Sequence, residues 1–332
     1  MITVKAQRAP YNALIPTFRP LCVTITSAQF ESLSIIDLIR YGGSQFVKAG
    51  LTFGHSYDNA MDESTQLVLH ALGMPHDLNP VYGSAKVTTE ELNAVMELFR
   101  RRIEDRVPAS YLTGEAWFAG LLFKSDARAL VPRSPIAELI EAGFQPWLND
   151  REVYRALDLC TGSGCIAIAM AHHHPQWMVD GIDISDDALS LAEENRERMM
   201  TENVQFLKSD LFAGLEGEIY DLIVTNPPYV TNDETDALPQ EYAHEPELGL
   251  RAGDDGLDLA LRIMRDAPAH LSEQGLLICE VGEAEHALSR LLPDMALEWI
   301  EFKVGQMGIF ITDREELLRH HVQIKALADA RS

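Results

Sequence analysis

The sequence predicts an α/β protein: a mostly parallel sheet of seven strands with helices on both faces, ending in an antiparallel hairpin, preceded by a small N-terminal helical domain. Two observations predict the sheet. From Ala156 onward apolar runs alternate with helical stretches, the pattern of parallel strands covered on both faces. The last two runs are joined by "KVGQM" alone, whereas a parallel crossover needs about a dozen residues, so that pair is antiparallel. A third observation predicts the helical domain: before Pro108, apolar positions recur at helical spacing.

Taken in order, residues 1–28 contain no acid and are interrupted by Pro10, Pro16 and Pro20. Transit peptides share that composition, but an amphipathic period is missing, so a poorly ordered extension is expected. Residues 29–108 are expected to form the helical domain. Its clearest helix is "TTEELNAVMELFRRRIEDRV". A capping box from Thr88 to Glu91 opens it, Leu92, Val95, Met96, Phe99, Ile103 and Val107 stripe it, and Pro108 stops it. Ile35–Val47 and Glu63–Leu72 carry similar stripes, and Arg100–Arg102 reads as a solvated helix face. Residues 109–135 hold Gly114, Gly120, aromatics and short β-type runs, and read as a hairpin bridging to a second domain over 136–332. After the helical "SPIAELIEAGF", the strand runs are "ALDLC", "VDGIDI", "VQFLKSD", "DLIVT", "LLICEV", "LEWIEF" and "GIFIT", with helices such as Asp186–Met199 and Leu257–Ala269 between the first five.

Composition narrows the function. No apolar run reaches the ~18 residues of a membrane span. Cys22, Cys160, Cys165 and Cys279 form no CxxC pair and read as buried thiols of a reducing cytoplasm. His172–His174 point different ways on a helix, so no metal is expected. Net charge is -24, and it is uneven: residues 1–150 carry 13 Lys/Arg against 16 Asp/Glu, residues 151–332 carry 14 against 35. Besides aiding solubility, a field of that sign repels phosphate backbones and attracts basic partners, which disfavours direct nucleic-acid binding.

The chemistry lies at the strand ends. "LDLCTGSGC" places Asp158 at the end of a strand, then the turn Thr161, Gly162, Ser163 and Gly164, then a helix. Glycines let the backbone approach a ligand closely. The next strand ends in "GIDIS", where Asp183 suits a ribose diol, and a third ends in "KSDLF", where Asp210 suits an adenine amino group and Phe212 its ring face. Any one of these acids reads as a helix cap; three on one rim read as a nucleoside site. The turn lacks GxGxxG spacing, and the acids would repel a pyrophosphate. The nucleoside is thus uncharged or cationic, which suits S-adenosyl-L-methionine.

"TNPPYV" leaves the fourth strand on the same rim. Pro227 and Pro228 have carbonyls and no N–H, and Asn226 adds a side-chain acceptor. A loop that offers acceptors and withholds backbone donors matches a planar NH2 group, on which Tyr229 can stack. Accepting both amine protons raises electron density on a nitrogen whose lone pair is delocalised, and aims it at a methyl carbon. Glu280, in "CEVG", reads equally as an ion-pair member or an active-site acid.

Together "LDLCTGSG", "GIDIS", "SDLF" and "VTNPPYV" resemble the Rossmann-like class I S-adenosylmethionine-dependent methyltransferases that modify planar NH2 groups. Adenine-amine nucleic-acid methylases and protein glutamine methyltransferases share NPPY. The helical first domain, "RIEDRVPASYLTGEAWFAG" and "LVPRSPIAELI" are similar to the glutamine branch, over about Ser32 to Thr312. Members acting on release factors show an Arg-Pro-Asp-Thr-Glu-like run where this chain has Arg133–Glu138. That departure, with "YLTGEAWF" and "HEPELGL", is similar to members that methylate the third large-subunit ribosomal protein. The resemblance implies N(5)-methylation of a glutamine amide held by Asn226, Pro227 and Tyr229, a cofactor held by Asp183, the Thr161–Gly164 turn and Phe212, and a basic ribosomal protein as partner. Cys160, where many relatives have a glycine, is expected in a strand-like φ. The other readings are methylation of release factors, an adenine methylase disfavoured by charge, and a noncatalytic assembly factor disfavoured by the intact NPPY.

Overall fold

The computed structural model describes residues 33–54, 57–149, 151–302 and 308–331. The expected extension over 1–28 and the connection Lys303–Met307 lie outside the described residues.

Helices Ile35–Lys48, Ala60–Ala71 and Thr89–Glu104 pack around Leu38, Phe46, Leu67, Leu92, Val95 and Phe99. Their starts follow from local chemistry. Ser34 with Asp37, and Thr88 with Glu91, form reciprocal capping boxes, each worth about 1 kcal/mol. The last of these helices ends at Glu104, ahead of Pro108, because Arg106 already sits at φ 58. One expectation is corrected here. Arg102 belongs to no solvated face: it is 1% exposed, and its guanidinium reaches Glu63 at 2.7 Å, Glu241 at 3.3 Å and the Thr52 carbonyl at 2.8 Å. Burying a cation is tolerable only with such partners, and all three lie at least 39 positions away in sequence.

Within 109–135 lies a hairpin, β1 (Glu115–Phe118) against β2 (Leu121–Lys124), antiparallel. It docks through Asn195, whose side chain accepts from the Lys124 N–H at 2.7 Å and donates to the carbonyls of Lys124 and Ser163.

The main sheet comprises β3 (Arg155–Leu159), β4 (Met178–Asp183), β5 (Val204–Lys208), β6 (Tyr220–Thr225), β7 (Leu271–Glu280), β8 (Glu298–Trp299) and β9 (Ile309–Asp313). Their order is β5-β4-β3-β6-β7-β9-β8. The pairs linking β5, β4, β3, β6 and β7 are parallel; β9 runs antiparallel to β8, as the short connection between them requires, and also to β7. The central strands are apolar on both faces. Ala156, Leu222, Val224 and Ile278 share a buried cluster with helix Cys165–His173 on one side; Leu157, Leu159, Ile223 and Leu277 share one with helix Asp258–Asp266 on the other. That double burial explains why these strands read as continuous apolar runs.

Candidate active site

β3 and β6 are neighbours, and from them the chain proceeds to opposite halves of the sheet, through β4 and β5 on one side and β7 on the other. A crevice opens at the carboxyl ends of strands at such a reversal. Here it is a cleft of about 750 Å³, within the usual range of small-molecule sites. Thr161, Gly162, Ser163, Asp183, Asp210, Asn226, Pro227, Pro228 and Tyr229 all line it.

The glycine-turn half is built from its own hydrogen bonds. Asp183 Oδ2 accepts from the Gly162 N–H and Oδ1 from the Ser185 N–H, both at 2.9 Å. Burial pushes the Asp183 carboxyl above its ordinary range, against the pull of those backbone donors. The Thr161 and Gly164 N–H groups are satisfied by the Ile182 and Thr161 carbonyls. With these N–H groups spent internally and a carboxylate beside them, the turn suits a diol or a cation and disfavours a phosphate. Asp210 is half-exposed, and both its oxygens accept from Arg262 Nη2 at 2.9 Å, so an arginine shares this end of the cleft.

Four expectations are corrected. Phe212 lies outside the cleft lining: it is 6% exposed and stacks on His270 at 4.6 Å within the core. Leu211, at φ 49, bends the chain, and it is Leu211 that lines the cleft. Asp158 is fully buried behind the turn, accepting from the Thr161 hydroxyl and the Ala167 N–H, so it shapes the loop from beneath. Gly164 is also structural: a Cβ there would lie 2.7 Å from Phe206 and 3.0 Å from Ala192. Cys160 adopts φ 60 in place of a strand-like value, a conformation that costs a non-glycine residue about 1–2 kcal/mol.

The NPPY half presents acceptors. Asn226 lines the cleft, and its Oδ1 is buried without a hydrogen-bond partner. Leaving such an atom unsatisfied costs about 1–3 kcal/mol, a cost that a donor arriving in the cleft removes. Tyr229 donates its hydroxyl to Glu280 Oε1 at 2.9 Å. Burial, and then the Glu280 charge, hold the phenol well above its ordinary range, so it stays protonated.

Sequence reasoning left several residues around the site undecided or unseen. The segment after NPPY leaves at Val230, returns at Arg251 through a bridge between them, and is pinned in between. Glu241 reaches Arg102 and the Thr52 N–H of the helical region; Glu245 pairs with Arg133. These contacts span over a hundred positions of sequence, and no local signal announces them. Among the described residues no helix is long and apolar enough to cross a membrane.

Residues 144–247 match the family model described as methyltransferase small domain. With the sheet order and the cleft at its switch point, this defines a methyltransferase. A ribosomal protein uL3 glutamine methyltransferase from Xanthomonas campestris pv. campestris is 70% identical over 308 residues, spanning 92% of this chain and the whole of that protein. One from Xylella fastidiosa is 66% identical over 94% of this chain and the whole of that protein, and one from Neisseria gonorrhoeae is 45% identical over 87% and 97%. The chain belongs to the family of ribosomal protein uL3 glutamine methyltransferases.

Proposed function

We propose that the chain transfers a methyl group from S-adenosyl-L-methionine to the side-chain amide nitrogen of a glutamine in ribosomal protein uL3. The observation that carries the reading is the buried, unpaired Asn226 Oδ1, in a loop where two consecutive prolines withhold N–H donors. A carboxamide NH2 supplies the missing donor. The other half of the cleft fits the cofactor: Asp183 offers its carboxylate to a ribose diol, Asp210 lies at the adenine end with Arg262, and the turn from Thr161 to Ser163 borders the methionine portion. When bound, S-adenosyl-L-methionine supplies a methyl carbon made electrophilic by its sulfonium.

Asn226 Oδ1 and the Pro227 carbonyl accept the two amide protons, which concentrates charge on nitrogen and fixes the direction of its lone pair. Pro228 stiffens the loop, and Tyr229 packs on the amide plane. No strong base is needed: as the new N–C bond formed and the methyl–sulfur bond broke, leaving a neutral thioether, the amide proton would become acidic and pass to water. The helical region, pinned to the loop over residues 231–250 through Glu241, serves substrate recognition. An excess of acidic residues in the second half speeds encounter with a basic ribosomal protein in the cytoplasm.

The test is transfer of radiolabelled methyl to purified uL3, release factor and adenine-containing nucleic acid in parallel, with mass spectrometry locating the label. Label on a glutamine of uL3 is expected; label confined to release factor or to adenine rejects the reading. Asn226→Ala should lower turnover by at least about 100-fold, the scale of losing one preorganised polar contact to the reacting group, while cofactor binding survives.

A further inference from the structure

The residue that sequence reading left undecided occupies a telling place. Glu280 is the last residue of β7, one strand over from NPPY, and is 4% exposed. Its two carboxylate oxygens are divided between two hydroxyls: Tyr229 donates to Oε1 at 2.9 Å and Ser134 donates to Oε2 at 2.5 Å. A buried carboxylate is costly, and an apolar residue would fill the space more cheaply. What the carboxylate adds is direction. Ionised, it accepts only, so both hydroxyl protons must point toward it.

The Tyr229 ring and backbone are fixed from further sides. A Cβ on Gly282 would lie 2.6 Å from Tyr229 Cε2, and one on Gly256 would lie 2.2 Å from the Tyr229 carbonyl oxygen. Gly308 in turn lies against Gly282, whose N–H it accepts at 3.2 Å.

We propose that Glu280 is a positioning residue that acts through Tyr229: it sets the angle of the ring against the substrate amide and draws the phenol proton away from the substrate nitrogen. The inference rests on the reading of NPPY as the amide site. A hydroxyl donating to that nitrogen would compete for the lone pair that must attack the methyl carbon. Ser134 anchors the far side of the carboxylate, so the clamp extends to the segment entering helix Ile136–Glu141.

The test is a double-mutant cycle in methyl transfer to uL3. Glu280→Ala is expected to lower kcat by about 10- to 100-fold, the scale of misplacing a reacting group by a fraction of an ångström to an ångström, with the cofactor Kd unchanged within about twofold. Glu280→Gln, which keeps one acceptor for the phenol, should restore most of that loss. In a Tyr229→Phe background, Glu280→Ala should cost less than about threefold, since the hydroxyl it governs is gone. An equal loss in both backgrounds overturns the proposal, as does an unchanged kcat in Glu280→Ala. Should Glu280→Ala not fold, Glu280→Asp, which withdraws the carboxylate by one methylene, takes its place in the cycle. Absence of transfer by the unmutated enzyme would reject the functional reading itself. The orientation of Tyr229 in a crystal of the Glu280 variant then decides this inference alone, and an unmoved ring overturns it.

Discussion

Asp158 shows how a residue can read as a ligand contact and act as a structural one. Its position at a strand end before a glycine turn is what a cofactor contact looks like in sequence, but of the three strand-end carboxylates Asp183 and Asp210 line the cleft and Asp158 is sealed beneath it. Burial pushes Asp158 up to about 7, against hydrogen bonds from Thr161 and Ala167, and Oδ1 has no partner. The folded protein thus holds a proton that the unfolded chain releases near the ordinary carboxylate value of 3.8. That contribution to stability is complete below the unfolded value and is lost as pH rises through about 7. Asp158→Asn cannot ionise. Its stability relative to the unmutated protein should therefore rise between pH 4.5 and 8 in urea denaturation, and a pH-independent difference would contradict the assignment. Phe212 carries the complementary lesson. An aromatic after a strand-end acid suggests an adenine wall, but whether residue one or residue two after Asp210 faces the ligand depends on a positive φ at Leu211 that no pattern in the sequence announces.

At the scale of elements, the sheet was legible because burial on both faces leaves a direct imprint: "LIV" and "LLIC" are apolar at consecutive positions, and "KVGQM" is too short for a crossover. The two turns that line the cleft were legible as turns for a similar reason, since each is a run of unusual backbone chemistry at a strand end. What was not legible is how the turns are braced, because bracing comes from residues distant in sequence. Gly282 is an example. It sits at φ 49 immediately behind the Tyr229 ring, and its neighbours give no hint of that packing. Gly282→Ala should cost about 1 kcal/mol through backbone strain and also push the ring out of place, lowering kcat by about tenfold or more. Gly50→Ala is the control: φ 62 imposes the same strain, but nothing lies within 4 Å of the added methyl, so stability should fall with kcat unchanged. Equal kcat values for the two variants would show that Tyr229 is not held from that side.

At the scale of the whole molecule, a buried arginine helps tie the helical region to the loop that follows NPPY, beside contacts from Thr52, Arg106 and Asp105. Arg102 sits between Glu63 of helix Ala60–Ala71 and Glu241 of the loop that follows NPPY. The two carboxylates respond differently. For Glu63, burial outweighs the pull of Arg102 and holds the carboxyl above its ordinary range. For Glu241, burial is outweighed by the Thr52 N–H and Arg102, and the carboxyl lies below its ordinary range. Removing the cation would strand the buried Glu63 and leave Glu241 with Arg106 at 3.4 Å and the Thr52 N–H, a change that costs about 3–5 kcal/mol in comparable buried pairs. Arg102→Met should therefore destabilise the protein by about that amount at pH 8. The loss should shrink toward pH 5.5, because the stranded carboxyls titrate upward and the folded variant then takes up protons that the unfolded chain does not. Urea denaturation at the two pH values checks this, and a loss of the same size at both would show that the cost comes from packing. Because Glu241 also fixes the loop bordering the acceptor end of the cleft, the KM for the protein substrate should rise in Arg102→Met while the cofactor Kd stays close to that of the unmutated enzyme. A parallel rise in both would show that the arginine supports the sheet as a whole, without any particular hold on the substrate side.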